Sequence, residues 1–166
     1  MMMYNADFLI AAVVILLLVL RNFLDQKRAE DLNSRVFLFF VVIGIAELVS
    51  NYYITSGDGD FGLAAVVITT IFYLFQALLP YALLCYIMTL HDNKLISVKK
   101  MLLAGLATIL LTSIVLTNPF TEKLFYFDVS AGYVEGPWYR LIYYSALFHL
   151  AVILILVTSW RKEFGP

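Results

Sequence analysis

Residues 11–20 read AAVVILLLVL, and every one of them is apolar. A strand of a transmembrane barrel alternates apolar and polar positions, because its two faces meet different surroundings. A stretch that is apolar on every face instead predicts a helix surrounded by lipid or by other apolar helices. The run Ala11–Leu20 therefore indicates an all-α integral membrane protein.

The composition of the whole chain supports the same fold class. Of its 166 residues, 63% are hydrophobic and 14% are charged, whereas soluble domains carry roughly 45–50% and about 25%. The mean hydropathy is +0.90. One cysteine is too few for a disulfide framework, and a net charge of −1 does not favour a nucleic-acid partner. We expect the lipid bilayer as the main partner, and neither a metal nor another cofactor.

Helix length sets the number of membrane spans. A spanning helix needs about 20 apolar residues, because the hydrocarbon layer is about 30 Å thick. Five segments meet this requirement within one membrane domain, residues 1–166. We predict helices over approximately Asp7–Leu24, Arg35–Ile54, Gly62–Leu90, Val98–Thr117 and Trp138–Trp160.

Basic residues predict the orientation of this five-helix bundle, since Lys and Arg are retained on the cytoplasmic side of short loops. Only Lys123 and Arg140 fall on the opposite side from the others. The remaining basic residues follow the first, third and fifth helices: Arg21, Lys27, Arg28, Arg35, Lys94, Lys99, Lys100, Arg161 and Lys162. We therefore expect the N-terminus outside and the C-terminus in the cytoplasm.

The loop over residues 118–137 is longer than a simple connection requires. Strand-forming residues occupy Leu124–Phe127 and Tyr133–Glu135, and Asp128–Gly132 has turn-forming composition between them. This pattern predicts a short β-hairpin on the outer side, between the fourth and fifth helices. Its aromatic residues suit either a ligand pocket or an anchor at the lipid headgroups. As candidate ligand-binding residues we take Phe125, Phe127, Tyr133 and Trp138.

Polar residues inside the predicted helices form a second candidate site. Glu47 and Asn51 lie one turn apart on the second helix, while Gln76 and His149 lie near the middle of the third and fifth. Charged and polar groups in hydrocarbon are costly and usually face the bundle. We predict that Glu47, Gln76 and His149 meet at one depth as a ligand-sensing or proton-sensing cluster. The alternative is that they only hold helices together by hydrogen bonds.

Several short motifs stand in the last loop and in the third helix. Those of the loop are Asn118-Pro119, Leu124–Asp128, Gly132-Tyr133, Gly136-Pro137 and Tyr139, and the third helix has the string Phe72–Pro80 followed by Tyr86. With these motifs the chain resembles bacterial multi-helix membrane sensor regions, which stand at the N-termini of certain GGDEF diguanylate cyclases and, in a related form, precede some histidine kinases. Glu47 stands where that group has an acidic residue. The resemblance implies a location in the bacterial inner membrane.

The resemblance implies a sensory role without catalysis in this chain. It implies an input module that detects an outer or intramembrane ligand, a small molecule or a lipid, and transmits the signal through the last helix. It also implies a homodimer. Such regions commonly have seven helices, whereas five are predicted here, and no catalytic residue is assigned because the chain has neither a GGDEF string nor a kinase nucleotide motif. The alternatives are a small proton- or solute-translocating transporter or channel subunit, and an assembly subunit of a membrane complex.

Overall fold

A computed structural model of the chain describes residues 6–25, 32–56, 62–91, 98–128 and 132–160. Side chains are described over 10–24, 34–52, 62–89, 105–128 and 132–160. In chain order the elements are the helices α1 (Ala6–Asp25), α2 (Leu32–Ser56), α3 (Leu63–His91) and α4 (Val98–Thr121), the strands β1 (Phe125–Asp128) and β2 (Gly132–Glu135), and the helix α5 (Arg140–Trp160).

The helical architecture predicted from the sequence is confirmed at the level of elements. Each of the five predicted segments is a helix, and most of the ends lie within three residues of the predicted ones. Over the described residues, three helices are long and apolar enough to cross a membrane: Ser34–Tyr52, Leu63–Thr89 and Arg140–Trp160. Ile10–Leu24 and Gly105–Thr121 are shorter apolar helices.

The largest difference from the predicted boundaries is at the end of α4. The predicted helix ends at Thr117, whereas α4 continues through Asn118-Pro119 to Thr121. Proline removes one backbone donor from a helix, which favours termination. Here the turn after Pro119 is nevertheless closed, because the Glu122 N–H donates to the Asn118 carbonyl at 2.8 Å. Glu122 then leaves the helix with a φ of 55°.

Helix α3 is the central element of the bundle. It packs against α2, α4 and α5, while α1 packs against α2. The main hydrophobic core lies where α3, α4, α5 and the hairpin meet. Its buried members are Tyr73, Ala77, Leu111, Val115, Leu124, Phe125 and Ile142.

The two strands confirm the predicted hairpin. β1 and β2 pair antiparallel, with Phe125 opposite Glu135 and Asp128 opposite Gly132. Gly132 has a φ of 74°, a left-handed conformation that a residue without a Cβ adopts at little cost. The tip of the predicted turn, residues 129–131, lies outside the described residues.

Candidate functional site

Stacked aromatic rings join the hairpin to α3. Tyr73 of α3 stacks on Phe125 of β1 with ring centroids 5.2 Å apart and planes 27° apart. Phe125 in turn stacks on Tyr133 of β2, at 6.2 Å and 21°. The hydroxyls of Tyr73 and Tyr133 share a hydrogen bond, so that the outer members of the stack also meet at their polar ends. Phe127 packs edge-on against Tyr133 at 5.9 Å.

The electrostatic setting keeps the phenol of Tyr133 neutral over the physiological range. Burial raises the pKa of Tyr133 to about 12, because removing the ring from water disfavours the phenolate. The hydrogen bond with Tyr73 opposes this change, and the negative charge of Glu135 adds to it. The site is therefore an apolar aromatic cluster that contains two hydroxyls, rather than a proton-exchanging centre near pH 7.

The side chain of Asn118 ties the end of α4 to β1. It is only 1% exposed. Its Nδ2 donates to the Phe125 carbonyl at 2.9 Å, and its Oδ1 accepts from the Leu124 N–H at 2.7 Å and from the Phe125 N–H at 3.4 Å. The Gly136 N–H donates to the Leu124 carbonyl at 2.7 Å, which makes the neighbouring pair Phe125–Glu135 a non-hydrogen-bonded one. Asn118 thus satisfies the N–H and carbonyl of Phe125, which β1 turns away from β2, and the N–H of Leu124 directly before the strand.

Gly136 allows the chain to leave the hairpin close to the start of β1. A Cβ at this position would lie 2.3 Å from the Lys123 carbonyl oxygen, well inside van der Waals contact. The same oxygen accepts a hydrogen bond from the Trp138 N–H at 2.8 Å. Residues on both sides of the hairpin are therefore held together at its base, directly before α5 begins.

His149 lies at the contact between α5 and α4, and it is fully buried. Its Nδ1 lies 2.7 Å from the Ser145 carbonyl oxygen, and its Nε2 lies 3.0 Å from Thr108 Oγ1. Because a carbonyl oxygen can only accept, Nδ1 carries a proton and donates it to Ser145. Nε2 and the Thr108 hydroxyl share the second hydrogen bond. Edge-on rings of Tyr81 and Phe148 complete the surroundings, at 6.1 and 5.4 Å.

The structure brings three of the predicted site residues together, and the others lie on different elements. Phe125, Phe127 and Tyr133 are together in the hairpin cluster. Trp138 is 47% exposed in the turn before α5. Glu47 and Asn51 are half-buried on α2, Gln76 is half-buried on α3, and His149 is buried on α5.

The hydrogen bonds of His149 run to Thr108 and Ser145 and not to Glu47 or Gln76. No metal-ligating group of three or more His, Cys, Asp or Glu residues occurs among the described residues. The cluster of Glu47, Gln76 and His149 stays a prediction, and the bonds that the structure gives the histidine are of the helix-packing kind.

Sequence reasoning missed two residues that organise this region. The sequence predicts Asn118 in the loop over residues 118–137, whereas it lies in the last turn of α4 and bonds to Leu124 and Phe125. Thr108 is not among the residues predicted from the sequence, and only the fold identifies it as the partner of His149.

The fold and the site together define a helical membrane protein whose long loop is folded into the helix bundle. The chain belongs to the family described as the N-terminal 7TM region of histidine kinase, which matches residues 8–165. This confirms the resemblance to the membrane regions that precede some histidine kinases. Neither the curated proteins nor the solved structures that were compared gave a match. The described part of the chain contains five helices.

Proposed function

We propose that this chain is a sensory input region that receives a stimulus at the hairpin or inside the bundle and passes it to a cytoplasmic output. The chain belongs to a family of N-terminal regions of histidine kinases, and this supports a kinase as that output. A diguanylate cyclase output rests only on the resemblance of the loop. In either case the chemistry belongs to the output domain, and this region acts by changing its own packing.

The proposed arrangement has five membrane spans, with the hairpin and the N-terminus outside and the C-terminus in the cytoplasm of a bacterial cell. The three apolar helices of spanning length and the two shorter ones support the spans. The distribution of basic residues supports the orientation. Labelling single cysteines at both ends with an impermeant reagent on intact cells tests it, and equal labelling of the two ends would contradict it.

One observation carries the sensory proposal: the hairpin and three helices share a single hydrophobic core. Phe125 of β1 packs with Tyr73 of α3, Val115 of α4 and Ile142 of α5. Protein cores are close-packed, so a displacement of one member forces its neighbours to rearrange. A ligand that binds better to one packing of this core shifts the population toward that packing. In this way a stimulus at the hairpin reaches α5, the helix that leads to the output.

The proposed ligand-contacting residues are those predicted from the sequence. Phe127 and Tyr133 are half-buried at the hairpin, Phe125 is buried between Tyr73 and Tyr133, and Trp138 is exposed in the turn that follows. The second proposed group lies within the bundle: Glu47, Asn51, Gln76 and His149. We propose a small molecule or a lipid as the ligand of either group. We also propose that the region works as a homodimer.

The test joins residues 1–166 to the cytoplasmic part of a histidine kinase and measures autophosphorylation in membrane vesicles. Tyr133→Phe removes the hydroxyl bond to Tyr73 and leaves the stacked ring in place. A hydrogen bond contributes about 0.5–1.5 kcal/mol net, so we expect a roughly two- to tenfold change in kinase activity if the packing states differ in this bond.

Tyr126→Phe is the matched control, since Tyr126 lies on β1 but is 37% exposed and outside the core cluster. An effect of Tyr133→Phe and none of Tyr126→Phe supports the proposal. Equal activity in wild type and both variants, with normal insertion, contradicts it. Gradient-driven flux in liposomes that Glu47→Gln abolishes would instead favour a transporter.

A further inference from the structure

Four tyrosines lie where α3, the hairpin and the start of α5 meet, and their hydroxyls form two pairs. The hydroxyls of Tyr73 and Tyr133 share a hydrogen bond. Those of Tyr139 and Tyr143 share another, at 2.9 Å. The ring of Tyr139 joins the pairs, because it stands nearly perpendicular to Tyr73 at 6.2 Å and to Tyr143 at 5.4 Å. We call these four residues the tyrosine group. It is reached from the surface, since Tyr143 is 50% exposed.

Glu135 brings a negative charge to the tyrosine group. Cross-strand partners point to the same face of a hairpin, and so do residues two apart on one strand. Phe125 is the partner of Glu135, and Tyr133 precedes it by two positions. Glu135 therefore lies on the hairpin face that packs against Tyr73. Its charge acts on the phenols of both Tyr133 and Tyr139.

The carboxylate of Glu135 is not neutralised by any side chain that the structure describes. Glu135 is exposed, and within the described residues it has neither a hydrogen bond nor an ion pair. Lys123 and Arg140, the basic residues beside the hairpin, form no ion pair with it. The faces of aromatic rings also carry partial negative charge. The charge and the rings at this place therefore favour a cation over an anion or a neutral molecule.

The hydroxyls of the tyrosine group narrow the kind of cation. They are already bonded to one another, so that few acceptors are left for the N–H groups of a primary ammonium. A quaternary ammonium has no N–H to donate, and aromatic rings recognise its methyl groups, which carry the positive charge. We propose that the tyrosine group and Glu135 bind a methylated ammonium ion. Its methyl groups contact the rings of Tyr139 and Tyr143, and Glu135 supplies the counter-charge.

This inference names the chemical class of the ligand at the hairpin, and it rests on the proposed function for its role in sensing. Two sources share the chemistry: a soluble ion such as choline, and the headgroup of a phosphatidylcholine lipid.

The experiment measures choline binding to the full chain by saturation-transfer NMR. The matched neutral probe is 3,3-dimethylbutan-1-ol, in which carbon replaces the charged nitrogen and the equivalent methyl groups remain. Nanodiscs of digalactosyldiacylglycerol provide a neutral bilayer without ammonium groups, and empty nanodiscs give the background. We expect saturable binding of choline, and binding of the neutral probe that is at least about threefold weaker.

Substitutions test the two parts of the site separately. Glu135→Gln removes the charge at an exposed position and should weaken choline binding roughly three- to tenfold, while binding of the neutral probe stays unchanged. Tyr143→Leu removes a half-exposed ring and should weaken choline binding roughly two- to fivefold, whereas Tyr143→Phe should retain most of the affinity. Glu122→Gln is the matched control, since Glu122 is also exposed but lies outside both strands.

Nanodiscs of phosphatidylcholine distinguish the two sources of the cation. A lower apparent affinity for choline in these nanodiscs assigns the site to the lipid headgroup, and an unchanged affinity assigns it to a soluble ion. Absence of saturable choline binding overturns the proposal, and so does equal binding of the two probes or wild-type affinity in Glu135→Gln. The assay has no kinase readout, so its failure is distinguishable from failure of the sensory proposal.

Discussion

Replacing Asn118 with alanine should open the hairpin while leaving the helices in place. The substitution removes the partner of the Leu124 N–H and of the Phe125 carbonyl, on residues that are 0% and 1% exposed. Each buried backbone group left without a partner costs about 1–3 kcal/mol, so the two together amount to roughly 2–6 kcal/mol. Every 1.4 kcal/mol is a factor of ten, and even the lower figure predicts at least about a 30-fold increase in local opening.

Hydrogen–deuterium exchange with mass spectrometry, on the protein in nanodiscs, measures this opening for peptides that cover 122–136. Asn118→Asp should be intermediate, because its oxygen still accepts from the Leu124 N–H but it no longer donates to Phe125. Thr117→Ala is the control, since that exposed hydroxyl bonds only within α4, to the Ser113 carbonyl at 3.0 Å. Wild-type exchange of the hairpin amides in Asn118→Ala would refute the reasoning.

Three further predictions concern the base of the hairpin, the buried histidine and the phenol. Gly136→Ala places a Cβ 2.3 Å from the Lys123 carbonyl oxygen and should accelerate exchange across the hairpin, whereas unchanged exchange would contradict this close approach. Thr108→Val leaves Nε2 of His149 without its hydrogen-bond partner and should lower the thermal midpoint in nanodiscs, by an amount that reflects about 1–3 kcal/mol; Thr108→Ser should retain most of the stability. The pKa of Tyr133 is raised to about 12, so the unfolded chain ionises first and stability should fall as the pH rises above 10. Urea melts at pH 9 and 11 measure this loss, which should be smaller in Tyr133→Phe.

The elements were predictable because they depend on local sequence. Apolar runs predict the helices. Two strand-forming segments with turn-forming residues between them predict the hairpin between Phe125 and Glu135. Helix packing was not predictable in the same way, because hydropathy does not specify which helices are neighbours. His149 illustrates this limit: its hydrogen-bond partner Thr108 lies on α4, a pairing that depth along the chain does not indicate.

The residues of the hairpin site were predictable from the sequence, but their contact with α3 was not. Its aromatic residues suggested a pocket or a membrane anchor, and neither interpretation included a partner on α3. Tyr73 becomes that partner only when the hairpin folds back over the bundle. The continuation of α4 through Pro119 was missed for the same reason, since Asn118 has its role only when β1 lies against it.

The small size of the hairpin makes its folding depend on the packing of the helices. It has two strands of four residues each, and an isolated two-stranded hairpin is marginally stable at best. Its order therefore depends on Asn118 and on the core that it shares with α3, α4 and α5. Coupling of this kind is reciprocal: the free energy by which the helix packing around Tyr73 stabilises the folded hairpin is also the free energy by which the folded hairpin stabilises that packing. A ligand that recognises only the folded hairpin would consequently favour this helix arrangement without contacting the helices.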